Sequence, residues 1–131
     1  TRPVYYHETP KLDKDAGSWM RVNLPDKSRV LAEDYYLIPE LSGLFVPAMI
    51  PRYSLREEYT RALNSLDLPS LQRLKIKYVY LTKGWYDRLP EPPKALLRDS
   101  TYFKEIFSLS SSSPIEDWRK VYQFHDRRLG Q

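Results

Sequence analysis

The sequence predicts an α/β domain, a small three-layer Rossmann-like unit whose parallel core strands lie in the order 2-1-3, extended by a C-terminal antiparallel hairpin. Three observations lead there. Helix-like and strand-like segments alternate from residue 10 to residue 82, the signature of βα units around a parallel sheet. Ile76 to Thr82 (IKYVYLT) is rich in β-branched and aromatic residues and is the clearest strand signal in the chain. Two further aromatic-rich runs then follow, separated by a serine run and Pro114, and read as a hairpin.

Residues 1–9 have no period and are read as an arm, residues 10–125 as one domain, and residues 126–131 as a basic tail. Pro10 suits a first helical turn, and Leu12, Ala16, Trp19 and Met20 keep helical spacing behind it. Leu24 to Ser28 supplies a turn, and Arg29 to Glu33 reads as a short buried strand. Asp34 can cap a helix beginning at Tyr35, which Gly43 would stop. Leu44 to Met49 reads as a second short strand, with Pro47 hinting at an edge position.

Ser54 and Glu57 form a capping box, and Leu55, Tyr59, Ala62, Leu63 and Leu66 continue at helical spacing. Pro69 opens a further short helix whose Leu71 and Leu74 face inward. After the strand at 76–82 comes a loop punctuated by Pro90, Pro92 and Pro93, with a short helix from Pro93 to Asp99. Phe103, Phe107 and Leu109 fit one hairpin strand; Trp118, Tyr122 and Phe124, with Lys120 on their face, fit the other. Right-handed crossovers then put the first strand between the second and third.

Composition bounds the function. The 131 residues suit one domain with one core, and a 14% share of aromatics supplies burial that the aliphatic residues do not. The net charge of +4 is mild and mixed along the chain; Arg127-Arg128 is the one basic doublet in the tail, so no nucleic-acid partner is expected. With no Cys, disulfides and thiolate metal sites are excluded, and His7 and His125 are too far apart in sequence to suggest a zinc pair. No apolar stretch reaches the roughly 20 residues a membrane helix needs. Thr1, an unusual first residue for a gene product, suggests an excised fragment.

In the predicted topology, ligands favour the crevice at the carboxyl ends of the first and third strands, where the strand order reverses. Glu33, Asp34 and Tyr36 follow one strand there, and Trp85, Tyr86 and Asp87 the other. Flat rings stack on the C–H faces of sugars and carboxylates accept from their hydroxyls, so these six are the candidate ligand residues. No catalytic residue is expected: Glu33 and Asp34 are neighbours that point apart, and no glycine-rich phosphate loop or nucleophile elbow occurs. No cofactor or metal is expected either. A small independent enzyme using the crevice is a third possibility.

Trp19-Met20-Arg21-Val22-Asn23-Leu24-Pro25 followed by Ser28-Arg29-Val30-Leu31-Ala32-Glu33 resembles the W-I-R-E-N-x-P … V-L-A opening of extracytoplasmic domains in GT-C-type membrane glycosyltransferases, the mannosyltransferase-like and oligosaccharyltransferase-like groups. Leu41 to Val46 resembles their x-S-G-R-x-V step, Leu74 to Leu81 their L-x-x-x-x-I-x-Y-V-x-V strand, and Phe103 to Phe107 and Val121 to Phe124 their closing strands. The similarity covers about residues 15–125, by order of elements more than by identity. Gly84-Trp85-Tyr86-Asp87 is similar to part of the W-W-D-Y-G acceptor motif but lacks the second Trp and the Tyr-Gly.

The resemblance implies a non-catalytic domain on the extracytoplasmic face of an integral membrane protein. Its partners would be that protein's own transmembrane region and a glycan or lipid-linked sugar. The family's catalytic carboxylate sits in an early loop between transmembrane helices, which this chain does not contain. The alternative is a free-standing carbohydrate- or protein-binding module.

Overall fold

The structure, a computed structural model, describes residues 10–34, 37–44, 46–47, 53–112 and 115–125, with side chains of the helix that begins at residue 53 described from Arg56 onward. The expected arm and basic tail, and the Ser54 side chain of the expected capping box, lie outside the described residues. The elements run α1 (Lys11–Asn23), β1 (Val30–Leu31), α2 (Leu37–Ser42), α3 (Tyr53–Ser65), α4 (Leu68–Arg73), β2 (Tyr78–Thr82), α5 (Lys83–Arg88), α6 (Glu91–Arg98), β3 (Phe103–Ser111) and β4 (Asp117–Phe124).

One mixed four-stranded sheet has the order β1-β2-β4-β3. β1 runs parallel to β2, with Val30 opposite Tyr78, while β4 is antiparallel to both β2 and β3. The protein is therefore α/β, but without the 2-1-3 core that the sequence suggests. The first strand lies at an edge rather than in the centre, and β4 takes the place beside β2. None of the described residues of segment 44–48 is in a strand. Leu44 and Val46 are buried all the same. A short apolar run signals burial without distinguishing a core strand from a core-packed loop, and Pro47 has no N–H to give a ladder.

Local chemistry sets the helix ends. Asp34 Oδ1 accepts from Leu37 N at 2.8 Å and Asp34 O from Ile38 N at 3.2 Å, so Asp34 does cap α2. Gly43, at φ 75°, stops α2 in a left-handed conformation that glycine adopts without a Cβ clash. Asp67 caps α4 through Ser70 N at 3.1 Å. α5 occupies what the sequence suggested was loop: Thr82 Oγ1 accepts from Trp85 N at 3.1 Å and starts a helix directly at the end of β2. Prolines 92 and 93 fall in the first turn of α6, where their missing N–H groups have no helical partner to lose.

α1 lies on one face of the sheet. Trp19 stacks on Phe107 of β3 with ring centroids 4.5 Å apart, and Ala16 and Met20 are fully buried. α2 packs across α1 at Gly17, where a Cβ would lie 2.6 Å from that of Leu41. The pin through this face is polar. Asp13 of α1 accepts from Arg119 Nε of β4 at 2.8 Å and from the hydroxyl of Tyr80 on β2. Arg119 Nη1 also donates to Asp117 Oδ1 at 2.8 Å and to Trp118 O at 2.9 Å. Asp13, Tyr80 and Arg119 are all buried. Burial acts to lower the Arg119 pKa, but its hydrogen bond to and charge attraction with Asp13 outweigh this and raise it. Burial, then the bond to Asp13, raises the Tyr80 phenol, which stays a donor.

A second ionic clamp joins α3 to α4. Glu58 accepts from Arg73 Nη2 at 2.7 Å and Nε at 2.9 Å, and from Ser70 Oγ at 2.5 Å. Led by the Arg73 hydrogen bond, these partners hold the Glu58 carboxyl at about 2, against an ordinary value of 4.5.

Two stability predictions follow from these clamps. Replacing Arg119 with Met strands the buried Asp13 carboxylate with Tyr80 as its remaining pin partner, and should destabilise the fold by about 3 kcal/mol in urea titrations. Adding Asp13→Leu should recover most of that loss, because it removes the stranded charge. For Glu58, the folded pKa lies below the unfolded one, so its contribution is complete above pH 4.5 and is lost as pH falls toward 2. Urea stability of Glu58→Gln should therefore fall less steeply than that of the parent chain across this window.

Candidate functional site

The expected crevice at the ends of β1 and β2 exists as a small cavity. Because β1 and β2 are neighbours, Glu33 and Trp85 come together there, with Leu63, Asn64, Arg88 and Leu89, around about 140 Å³. Trp85 does not offer a face to it: the indole is 3% exposed, and its Nε1 donates to Leu63 O at 3.0 Å. Glu33 is ion-paired with Arg88, Asp34 is the α2 cap, and Asp87 accepts from Lys83 Nζ at 2.7 Å. Tyr36 lies outside the described residues. Tyr86 points elsewhere, toward Trp118. The five described candidates are thus divided among a core ring, a helix cap, two ion pairs and a second site.

That second site is a groove on the sheet face opposite α1. Strand alternation sends Arg119 and Val121 toward α1 and Trp118, Lys120 and Tyr122 to the other side. Ser110 pairs with Trp118 and Ser108 with Lys120, so both hydroxyls share that face. α5 and α6 close it with Tyr86, Leu97 and Arg98, giving a groove of about 460 Å³. This lies within the range of small-ligand sites, whereas the crevice is well below it.

The groove's electrostatics are organised around rings. Tyr86 and Trp118 meet at a tilt of 59° with centroids 5.7 Å apart. Lys94 Nζ lies 4.9 Å from the Tyr86 centroid and Lys120 Nζ 5.1 Å from that of Trp118, so each ring carries a cation. Arg98 donates to the Tyr86 hydroxyl at 3.1 Å and is ion-paired with Glu91, while Lys120 pairs with Glu105 at 3.2 Å. Burial, followed by the charge of Glu105, pushes the Tyr122 phenol up to about 12, so it remains a hydrogen-bond donor at neutral pH. Tyr86 and Trp118 are half-buried and the two serines exposed, so part of each aromatic side chain and both serines are open to solvent.

A larger depression of about 620 Å³ lies between the start of α1 and the hairpin turn. Among the described residues it has no aromatic lining, and its Lys11 and Asp15 are bonded to each other. Among the described residues, no group of three His, Cys, Asp or Glu side chains could hold a metal ion, and no helix is long and apolar enough to cross a membrane. Comparison with protein-family models, with curated proteins and with solved structures gives no match.

Sequence reading found Tyr86 but not Arg98, Ser108, Ser110, Trp118, Lys120 or Tyr122 as site residues. A signal was present: Trp118, Lys120 and Tyr122 place ring, cation and ring at every second position of one strand. The crevice residues should behave as structural ones. Trp85→Ala should destabilise by about 3–5 kcal/mol and Asp34→Ala by about 1 kcal/mol, whereas Asp87→Asn should stay within about 0.5 kcal/mol of the parent in chemical denaturation.

Proposed function

We propose that this chain is a non-catalytic carbohydrate-binding domain on the extracytoplasmic side of a GT-C-type membrane glycosyltransferase-like protein. It holds a glycan or the sugar part of a lipid-linked acceptor in the groove between the hairpin and α5–α6. The observation that carries the binding half of this reading is the groove's lining: two half-buried rings, a protonated Tyr122 phenol and two serine hydroxyls around about 460 Å³. A pyranose presents C–H faces to such rings and hydroxyls to such donors and acceptors. The membrane half rests on the ordered resemblance of the Trp19–Pro25, Arg29–Glu33, Leu41–Val46 and Leu74–Leu81 segments to that family.

The chemistry of the site is recognition. Tyr86 and Trp118 would take the ring faces, Ser108, Ser110 and Tyr122 would satisfy hydroxyls, and Leu97 would close the apolar end. Contributions on the order of 1 kcal/mol per stacked ring imply affinity no tighter than millimolar for a single sugar. A longer glycan, or one held close by a membrane-embedded remainder, would bind more tightly through effective concentration.

Titration of the isotope-labelled chain with glucose and a short glucan, followed by chemical shifts, tests the reading. The Trp118 indole and the amides of Ser108, Ser110 and Lys120 should move, and Trp118→Ala should abolish the shifts while leaving the spectrum folded. Shifts confined to Glu33, Asn64 and Arg88 would move the site to the crevice. Upstream transmembrane segments in the encoding gene would distinguish the membrane-tethered domain from a free-standing binding module.

A further inference from the structure

We infer that the groove selects acidic sugars, pyranoses bearing a carboxylate or a phosphate, and that Glu91 and Glu105 hold its cations in reserve until such a ligand arrives. The inference rests on the sugar-binding reading above and adds the charge class of the ligand. Two features lead to it. First, the rings and cations form a continuous ladder, Lys94 on Tyr86, Tyr86 against Trp118, and Trp118 under Lys120, with Arg98 bonded to the Tyr86 hydroxyl. A neutral sugar needs the rings but not the cations. A ring with an anionic substituent uses both, since a fork of guanidinium N–H groups fits a carboxylate or phosphate in two-point contact.

Second, the groove's cations are engaged by carboxylates that are themselves accessible. Glu91, which pairs with Arg98, has a side chain 71% exposed, and Glu105, which pairs with Lys120, one 42% exposed. Exposed pairs of this kind contribute little to stability, so a ligand anion can replace either carboxylate with little loss. The contrast with Arg119 is instructive. Its bond to Asp13 is buried on both sides, and no ligand could compete for it. The same strand therefore carries one locked cation facing α1 and one exchangeable cation facing the groove.

Calorimetric and chemical-shift titrations of the 131-residue chain with glucuronate, glucose 6-phosphate, glucose and inorganic phosphate test this. Glucuronate or glucose 6-phosphate should bind more tightly than glucose, with Trp118 and Lys120 both shifting. Whichever of the two binds better identifies the anion. Arg98→Gln with Lys120→Gln should abolish the preference for acidic sugars, so that this variant binds glucuronate and glucose 6-phosphate no more tightly than it binds glucose. Glu91→Gln should tighten acidic-sugar binding by about two- to fivefold without affecting glucose, because it frees Arg98. Equal binding of acidic and neutral sugars at Trp118, or an unresponsive Glu91→Gln, would overturn the charge selection while leaving the sugar groove intact. Inorganic phosphate binding as tightly as glucose 6-phosphate would also overturn it, since the ring would then contribute nothing. No response at Tyr86 and Trp118 to any of the sugars would sink the groove reading itself.

Discussion

The bond between Asp13 and Arg119 holds the architecture together. It joins α1 to the last strand across 106 residues of sequence, and Tyr80 ties the same carboxylate to β2. A buried ion pair adds little net stability over an apolar substitute, because two desolvation penalties offset the attraction. What it constrains is the placement of α1, whose Asp13 carboxylate has its partners on β4 and β2. A helix with an apolar stripe can slide or rotate on an apolar sheet at small cost. One with a single buried carboxylate must place it against the arginine. The Trp19–Phe107 stack and the close crossing at Gly17 then set the rest of the α1 and α2 layer.

With α1 fixed on one face, the other face of the hairpin is left to α5 and α6. These helices are too short to cover it. α5 spans six residues and α6 eight, while β3 spans nine and β4 eight. The hairpin also outruns its neighbour. β2 pairs with β4 only over Arg119 to Gln123, so Trp118 and Ser110 lie beyond the last β2 partner. The groove forms where the sheet continues and its helical cover does not. Its polarity follows from the same cause, since side chains that are only half covered can keep charges and hydroxyls wetted.

Much of the local structure was legible in the sequence. The helical spacing of Ala16 and Met20, the Asp34 cap, the Gly43 stop and the closing hairpin all appear where their chemistry puts them, and the strand expected at 76–82 forms over Tyr78–Thr82. Topology was less legible. The parallel pairing of the first and third expected strands is present, but β1 is only two residues long and gains no partner from the described residues of segment 44–48. Alternation of strand and helix signals says which strands are parallel and not which edge a later hairpin will take. β4 occupies the inner position because its consecutive residues Val121 and Tyr122 are buried on opposite faces, a pattern that belongs in the middle of a sheet. α5 escaped notice because its start signal, Thr82, is also the last residue of a strand.

The groove was hidden for a more specific reason. Phe103, Phe107 and Leu109 are all odd positions, and simple alternation would put them on one face. Between Glu105 and Phe107 the register shifts: Glu105 faces Tyr122, and Phe107 faces Val121, with Ile106 as the extra residue. A bulge of this kind reverses the parity of everything after it. Phe103 thus contacts Tyr122 and Phe124 on the groove side, while Phe107 meets Trp19 on the α1 side. The same reversal turns Ser108 and Ser110 toward Lys120 and Trp118. Without it, the apolar Phe107 and Leu109 would lie in the groove and the two serines would face α1, against an apolar layer that could not satisfy their hydroxyls. One inserted residue therefore decides both that α1 finds an apolar partner and that the opposite face keeps the hydroxyls a sugar would need.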